Sequence, residues 1–252
     1  MDTNSTTRPT TLVSFSGIDG AGKSTQIANL CAHLRAAGLS VHIITFWDDV
    51  ATLKGVREGA GHKIFRGDKG VGSPDAPISR RDKNVRSPFM TLVRLGMYVL
   101  DAISLRIKAG RALRSGSDVV IFDRYLFDEL ANLNLHSRAI RIYLRALMSI
   151  VPRPHVSFVL DADPVAARRR KPEYPLDFLF ENRNAYLQLS AWLGGITVIP
   201  PLPLEQAKAE VVRSVDLRLP TSPQSAPATS LSENFPAPQT QMDGPGTRPL
   251  AS

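Results

Sequence analysis

From Thr11 to Val215 the chain alternates short apolar runs with longer stretches in which apolar residues recur every three or four positions. The short runs are Thr11–Ser16, Val41–Phe46, Asp118–Phe122, His155–Leu160 and Ile196–Ile199, and they read as strands. The longer stretches predict helices over Lys23–Ala37, Phe89–Ser115, Ser137–Ile150, Pro164–Arg170, Leu176–Leu193 and Leu204–Val215. Single strands separated by helical segments pair in parallel, because a parallel neighbour is reached only through a crossover. The pattern therefore predicts an α/β fold, a five-stranded parallel sheet flanked by helices on both faces. In such sheets ligands bind at the carboxyl ends of the strands.

Three stretches fall outside the periodic pattern. Residues 1–10 form a short polar tail, expected to be disordered. Residues 216–252 are rich in Pro, Ser, Thr, Gln and Ala, with almost no large apolar side chains. Such a stretch cannot offset its ordering entropy by burial, and disorder is expected there too. The domain proper is thus expected over 11–215. Within it, 52–88 reads as a mobile basic insertion. Between Lys54 and Arg86 there are nine Lys or Arg against four Asp or Glu, interspersed with glycines.

The net charge of +8 raises nucleic acid, an anionic surface or a polyanionic small molecule as partners. The basic segment has no aromatic residue beyond Phe65, which weighs against a single-strand nucleic-acid groove. No run approaches the roughly 18 consecutive apolar residues of a membrane helix. The N-terminus lacks the apolar core of a secretory signal. The one cysteine, Cys31, cannot form an internal disulfide, and a reducing, cytoplasmic setting is expected.

The chemistry begins at Gly17-Ile18-Asp19-Gly20-Ala21-Gly22-Lys23-Ser24, which fits G-x-x-x-x-G-K-[ST] between an apolar strand and a helix. Glycines let successive N–H groups turn inward onto phosphate oxygens, and the following helix adds its positive N-terminal dipole. Lys23 reaches the β- and γ-phosphates, and the Ser24 hydroxyl can ligate Mg²⁺. A nucleoside triphosphate is therefore expected here, held by Gly17, Asp19, Gly20, Ala21, Gly22, Lys23, Ser24 and Thr25.

Two further groups fall at strand ends. The third strand runs into Asp123-Arg124-Tyr125, where Asp123 can hold Mg²⁺ and Arg124 can meet an acceptor phosphate or the transferring phosphoryl group. The fourth strand ends in Leu160-Asp161-Ala162-Asp163-Pro164. Asp163 suits a helix N-cap and Pro164 the first helical position. The helix then presents Arg168-Arg169-Arg170-Lys171 before Pro172 stops it. This cationic run reads as a lid over 168–176 that supplies an arginine to the transition state, or as a solvated helix end favoured by the dipole.

Taken together, these residues resemble the thymidylate kinase family of P-loop nucleoside monophosphate kinases. Phe15 through Thr25 is similar to that family's phosphate loop, with Asp19 inside it. Val120-Ile-Phe-Asp-Arg-Tyr125 is similar to its D-R-Y segment and Leu160-Asp-Ala-Asp-Pro164 to its L-D-x-x-P entry to the lid. Asp177-Phe178 through Arg183 and Tyr186 is similar to the helix after the lid. The resemblance spans about residues 12–215. It implies a P-loop NTPase sheet, Mg-ATP as donor and a pyrimidine deoxynucleotide as acceptor. It also implies catalysis by Lys23, Arg124 and one of Arg168, Arg169 and Arg170, and acceptor contacts from Asp19, Arg124 and Tyr125. A homodimer is compatible with it. Gly20 stands where some members carry an arginine, which fits members whose catalytic arginine comes from the lid.

The chain departs from the family after the second strand. A T-R-E-P-like segment is replaced by Thr45-Phe46-Trp47-Asp48-Asp49-Val50, and the A-D-R of the long helix by Leu100-Asp101-Ala102. Arg94 or Arg106 could stand in for the missing helix arginine. Asp48 and Asp49 are expected at the acceptor edge, Asp49 foremost. They leave open a kinase of deoxynucleosides or other small alcohols, in which one of them acts as base. A nucleotide-dependent switch or a nucleic-acid-associated NTPase is the alternative from another class.

Overall fold

The structure is a computed structural model in which residues 9–51 and 88–219 are described. The expectations for residues 1–8 of the N-terminal tail, for the 52–88 insertion, save Pro88, and for residues 220–252 of the C-terminal tail lie outside them. Five strands form one parallel sheet: β1 (Thr11–Ser16), β2 (Val41–Thr45), β3 (Val119–Asp123), β4 (Val156–Leu160) and β5 (Ile196–Ile199), in the order β2-β3-β1-β4-β5. The register pairs Phe15 with Asp123 and Thr45 with Asp123, which brings the carboxyl ends of β1, β2 and β3 to one rim.

Alternation along the strands creates two apolar layers. Val13 and Phe15 of β1 and Val119 and Ile121 of β3 face one layer, completed by Ile27, Leu30 and Leu34 of α1 (Lys23–Ala36) and Val211 and Val215 of α7 (Leu204–Asp216). Leu12, Val120 and Phe122 face the other. There they meet α2 (Pro88–Ala112), α3 (Leu126–Leu130), α4 (Arg138–Ile150) and α6 (Leu176–Leu193). The short α5 (Pro164–Arg170) follows β4 and opens onto the rim. Among the described residues no helix is long and apolar enough to cross a membrane.

The sequence pattern and the structure differ in two places that bear on the site. β2 ends at Thr45, and Phe46–Val50 forms a π-type turn closed by the Ala51 N–H donating to the Phe46 carbonyl at 2.8 Å. Its ends, Phe46 and Val50, are buried and draw the chain inward. Helix α3 was not foreseen, because five residues are too few to display a helical period.

Candidate active site

The phosphate loop runs from β1 into α1 against the end of β4 and the middle of α5. At Gly17 (φ 136°) a Cβ would stand 2.5 Å from the Leu160 carbonyl oxygen, so only glycine lets the loop pass there. Lys23 leaves the first turn of α1 and folds back into the loop. Its Nζ donates to the carbonyls of Gly17 at 2.7 Å and Ile18 at 2.9 Å. Burial, reinforced by nearby Arg124 and opposed by Asp128, Asp19 and Asp123, pushes its pKa down to about 8. A buried ammonium held on two carbonyls can exchange them for phosphate oxygens. Ser24 and Thr25 are exposed on the same first turn.

Arg124 follows β3 with a left-handed backbone (φ 71°), and its N–H donates to the Phe15 carbonyl at 3.0 Å. Its guanidinium lies between two carboxylates, donating to Asp19 in the loop and to Asp128 of α3 at 3.1 Å. Asp128 is buried and accepts three further hydrogen bonds. They come from the Ser16 hydroxyl at 2.6 Å, the Tyr186 hydroxyl at 2.8 Å and the Tyr125 N–H at 3.2 Å. Burial would lower the Arg124 pKa, but Asp128 and Asp19 raise it above its ordinary value. Burial would raise that of Asp19, but Arg124, Lys23 and Lys171 hold it below the usual value. Lys171, at the end of α5, stands 3.7 Å from Asp19.

Asp19, Arg124, Asp128 and Tyr186 line a slot of about 30 Å³ together with Trp47, Asn132, Tyr174, Phe178 and Asn182. Asn132, Phe178 and Asn182 also line an adjoining groove of about 480 Å³ between the 131–136 segment and α6. Among the described residues no group of three or more His, Cys, Asp or Glu is placed to hold a metal. Ser24 and Asp123 offer one hydroxyl and one carboxylate, a donor set that suits a Mg²⁺ ion completing its shell with phosphate oxygens and water. Burial raises the pKa of Asp123, against the pull of Arg124 and Lys23, and a cation beside it would favour its charged form.

Helix α5 starts as the sequence suggests. The Asp163 carboxylate accepts from the N–H groups of Val165 at 3.4 Å and Ala166 at 3.0 Å, and Pro164 is the first helical residue. Ala167 packs directly on Gly20 of the phosphate loop. Arg168 is half-buried, Arg169 and Arg170 are exposed, and among the described residues none of their guanidinium groups is engaged. Arg183 of α6 forks onto Asp161 at 2.5 and 2.7 Å and ties α6 to the segment entering α5.

Not every expected residue faces the slot. Tyr125 is fully buried, packs against Phe122 and Phe127 and donates its hydroxyl to the Pro152 carbonyl, the geometry of a core residue. Asp49 accepts from the Thr45 N–H at 2.8 Å and so closes the π-type turn. Its neighbour Trp47 lines the slot, and neither Asp48 nor Asp49 does. Arg106 donates to the Ile150 carbonyl at 3.0 Å, at the end of α4. Conversely, Ser16, Asp128 and Asn132 were not foreseen. The one available signal was the spacing of Asp128 four residues after Arg124, which becomes readable only once a helix is known to start between them.

No family model matches the chain. It is 31% identical over 178 residues to the thymidylate kinase of Chlorobium luteolum, with 69% of this chain and 72% of that one covered. It is 29% identical over 187 residues to the thymidylate kinase of Chlorobium chlorochromatii, covering 69% and 71%. A protein of Archaeoglobus fulgidus named "Probable thymidylate kinase" is 26% identical over 213 residues, covering 81% and 94%.

Proposed function

The chain belongs to the thymidylate kinase family, and on that footing we propose that it transfers the γ-phosphoryl group of Mg-ATP to thymidylate, giving dTDP and ADP. The observation that carries the acceptor half of this reading is the position of Arg124. It projects from the end of β3 into the slot beside Gly17–Asp19 of the phosphate loop.

The loop N–H groups, the N-terminus of α1 and Lys23 hold the donor phosphates. Arg124 holds the acceptor phosphate. One of its oxygens forms a bond to the γ-phosphorus while the bond from that phosphorus to the β,γ-bridging oxygen breaks, and the electron pair leaves on ADP. An acceptor phosphate is already ionised, so no general base is needed. Mg²⁺ held by Ser24 and Asp123 would neutralise charge on the phosphates. An arginine from Arg168–Arg170 completes the charge stabilisation from the lid.

A cytoplasmic location and a homodimer belong to the same reading. The dimer is supported by an exposed apolar stripe on α2, Leu92, Leu100, Ile103 and Ile107. Ile103→Glu should then yield a monomer in sedimentation. An ADP-release assay against dTMP, dUMP, thymidine, deoxycytidine and no acceptor tests the activity. Turnover with dTMP and little with thymidine is expected. Turnover with thymidine alone would select the alcohol-kinase alternative. ADP release independent of acceptor would select the NTPase.

A further inference from the structure

Arg124 has two carboxylate partners, and they are held very differently. The Asp128 side chain is 1% exposed and the Asp19 side chain 16%. Asp128 takes hydrogen bonds from Ser16 of β1, Tyr186 of α6 and the Tyr125 N–H besides that of Arg124, so three elements fix it. Asp19 sits in the phosphate loop, and its contacts are Arg124 and the flexible ammonium of Lys171 at 3.7 Å.

We propose that Asp128 is a positioning residue that holds Arg124 for the acceptor phosphate, and that Asp19 is the exchangeable partner which that phosphate displaces. This rests on the reading of Arg124 as the acceptor-phosphate ligand. A phosphate dianion arriving at Arg124 is repelled by both carboxylates. Asp128 cannot withdraw without leaving three donors unpaired in a buried site. Asp19 can withdraw, and Lys171 remains within reach to pair with it. The guanidinium is thus already oriented and desolvated before the acceptor arrives, and binding exchanges one anion for another on a fixed cation. Lys171 lies at the end of α5, so the exchange also strengthens a contact between the phosphate loop and the lid.

Asp19→Asn and Asp128→Asn each remove one negative charge beside Arg124, so the relief of repulsion is alike in the two. What differs is the anchor. The quantity to measure is the ratio of the Kd for thymidine to the Kd for thymidylate, by calorimetry, because it isolates the contribution of the phosphate. The ratio should be at least about tenfold larger in Asp19→Asn than in Asp128→Asn. A smaller difference, or the reverse order, overturns the proposal. Tyr186→Phe loosens Asp128 without changing charge and serves if Asp128→Asn does not fold. It should weaken thymidylate several-fold and leave thymidine unchanged, and equal effects on the two ligands would overturn the anchor role. A native protein that binds thymidylate no better than thymidine also overturns it. Because binding and not turnover is read, a native protein that binds thymidylate yet transfers nothing counts against the kinase reading alone.

Discussion

The carbonyl oxygen of Ala167 occupies the place where a side chain on residue 20 would begin, since a Cβ built on Gly20 would lie 2.3 Å from it. Helix α5 and the phosphate loop therefore touch backbone to backbone, which only glycine allows. Gly20 (φ 82°) and Gly22 (φ 90°) share a left-handed backbone, but nothing lies within 4 Å of a Cβ at Gly22. Gly20→Ala should therefore cost more than Gly22→Ala by about 1–3 kcal/mol, the excess reporting the clash and not the backbone strain. Denaturant melts of the two variants check this. Equal losses would mean that α5 does not rest on the loop in solution.

Lys23 gives the site a pH dependence with a definite sign. Its pKa lies at about 8, against an ordinary 10.5. The free protein loses the ammonium above about pH 8, so nucleotide affinity should fall there, by up to about tenfold per pH unit. The unfolded chain keeps its proton to higher pH. Between about 8 and 10.5 it binds more protons than the folded protein, and this group's contribution to stability rises with pH. Lys23→Ala should abolish transfer, remove both trends and leave the fold intact. Melting curves and ADP titrations from pH 7 to 10 read both trends.

What the sequence made legible was local. Strand, glycine loop, lysine and helix are contiguous, so Gly17–Ser24 could be placed from spacing alone, and Asp163-Pro164 declares its helix start in two residues. The support of Arg124 is not local. Ser16, Asp128 and Tyr186 come from β1, α3 and α6, and meet only because the register sets the end of β1 beside that of β3. Tyr125 misled in the opposite direction. The residue after a rim arginine invites a ligand role, but the left-handed backbone at Arg124 is followed by a side chain that turns into the core. β2 looked one residue longer because the buried Phe46 continues its apolar run as the first residue of the π-type turn.

The three arginines that end α5 differ in setting, with Arg168 half-buried and Arg169 and Arg170 exposed. Removing a side chain that stabilises only the transition state lowers kcat without changing the ground-state affinity for ATP. Alanine at one of the three positions should reduce kcat at least ~100-fold with the KM for ATP within a few-fold, while the others stay near native. Steady-state kinetics of the three single variants decide it. If all three remain near native, the run is a solvated helix end.

Asp49 decides between a turn-closing carboxylate and a catalytic base. Its Oδ2 accepts the Thr45 N–H at 2.8 Å, which commits one oxygen to the backbone and, among the described residues, leaves the other open. Were that second oxygen about 4 Å from an acceptor phosphate, repulsion of about 4 kcal/mol per unit charge would follow at an effective dielectric of 20. Asp49→Asn would then raise kcat/KM for thymidylate markedly. Were it a base for a sugar hydroxyl, the same change would remove thymidine phosphorylation. A carboxamide oxygen can still accept the Thr45 N–H, so a purely turn-closing role predicts neither effect. On that role Asp49→Asn keeps kcat/KM for thymidylate within about threefold. Asp49→Ala, which leaves the N–H without its acceptor, destabilises the protein by about 1 kcal/mol. Measuring both variants with thymidylate and with thymidine separates the three cases. The turn-closing outcome is expected, because Trp47 and not Asp49 lines the slot.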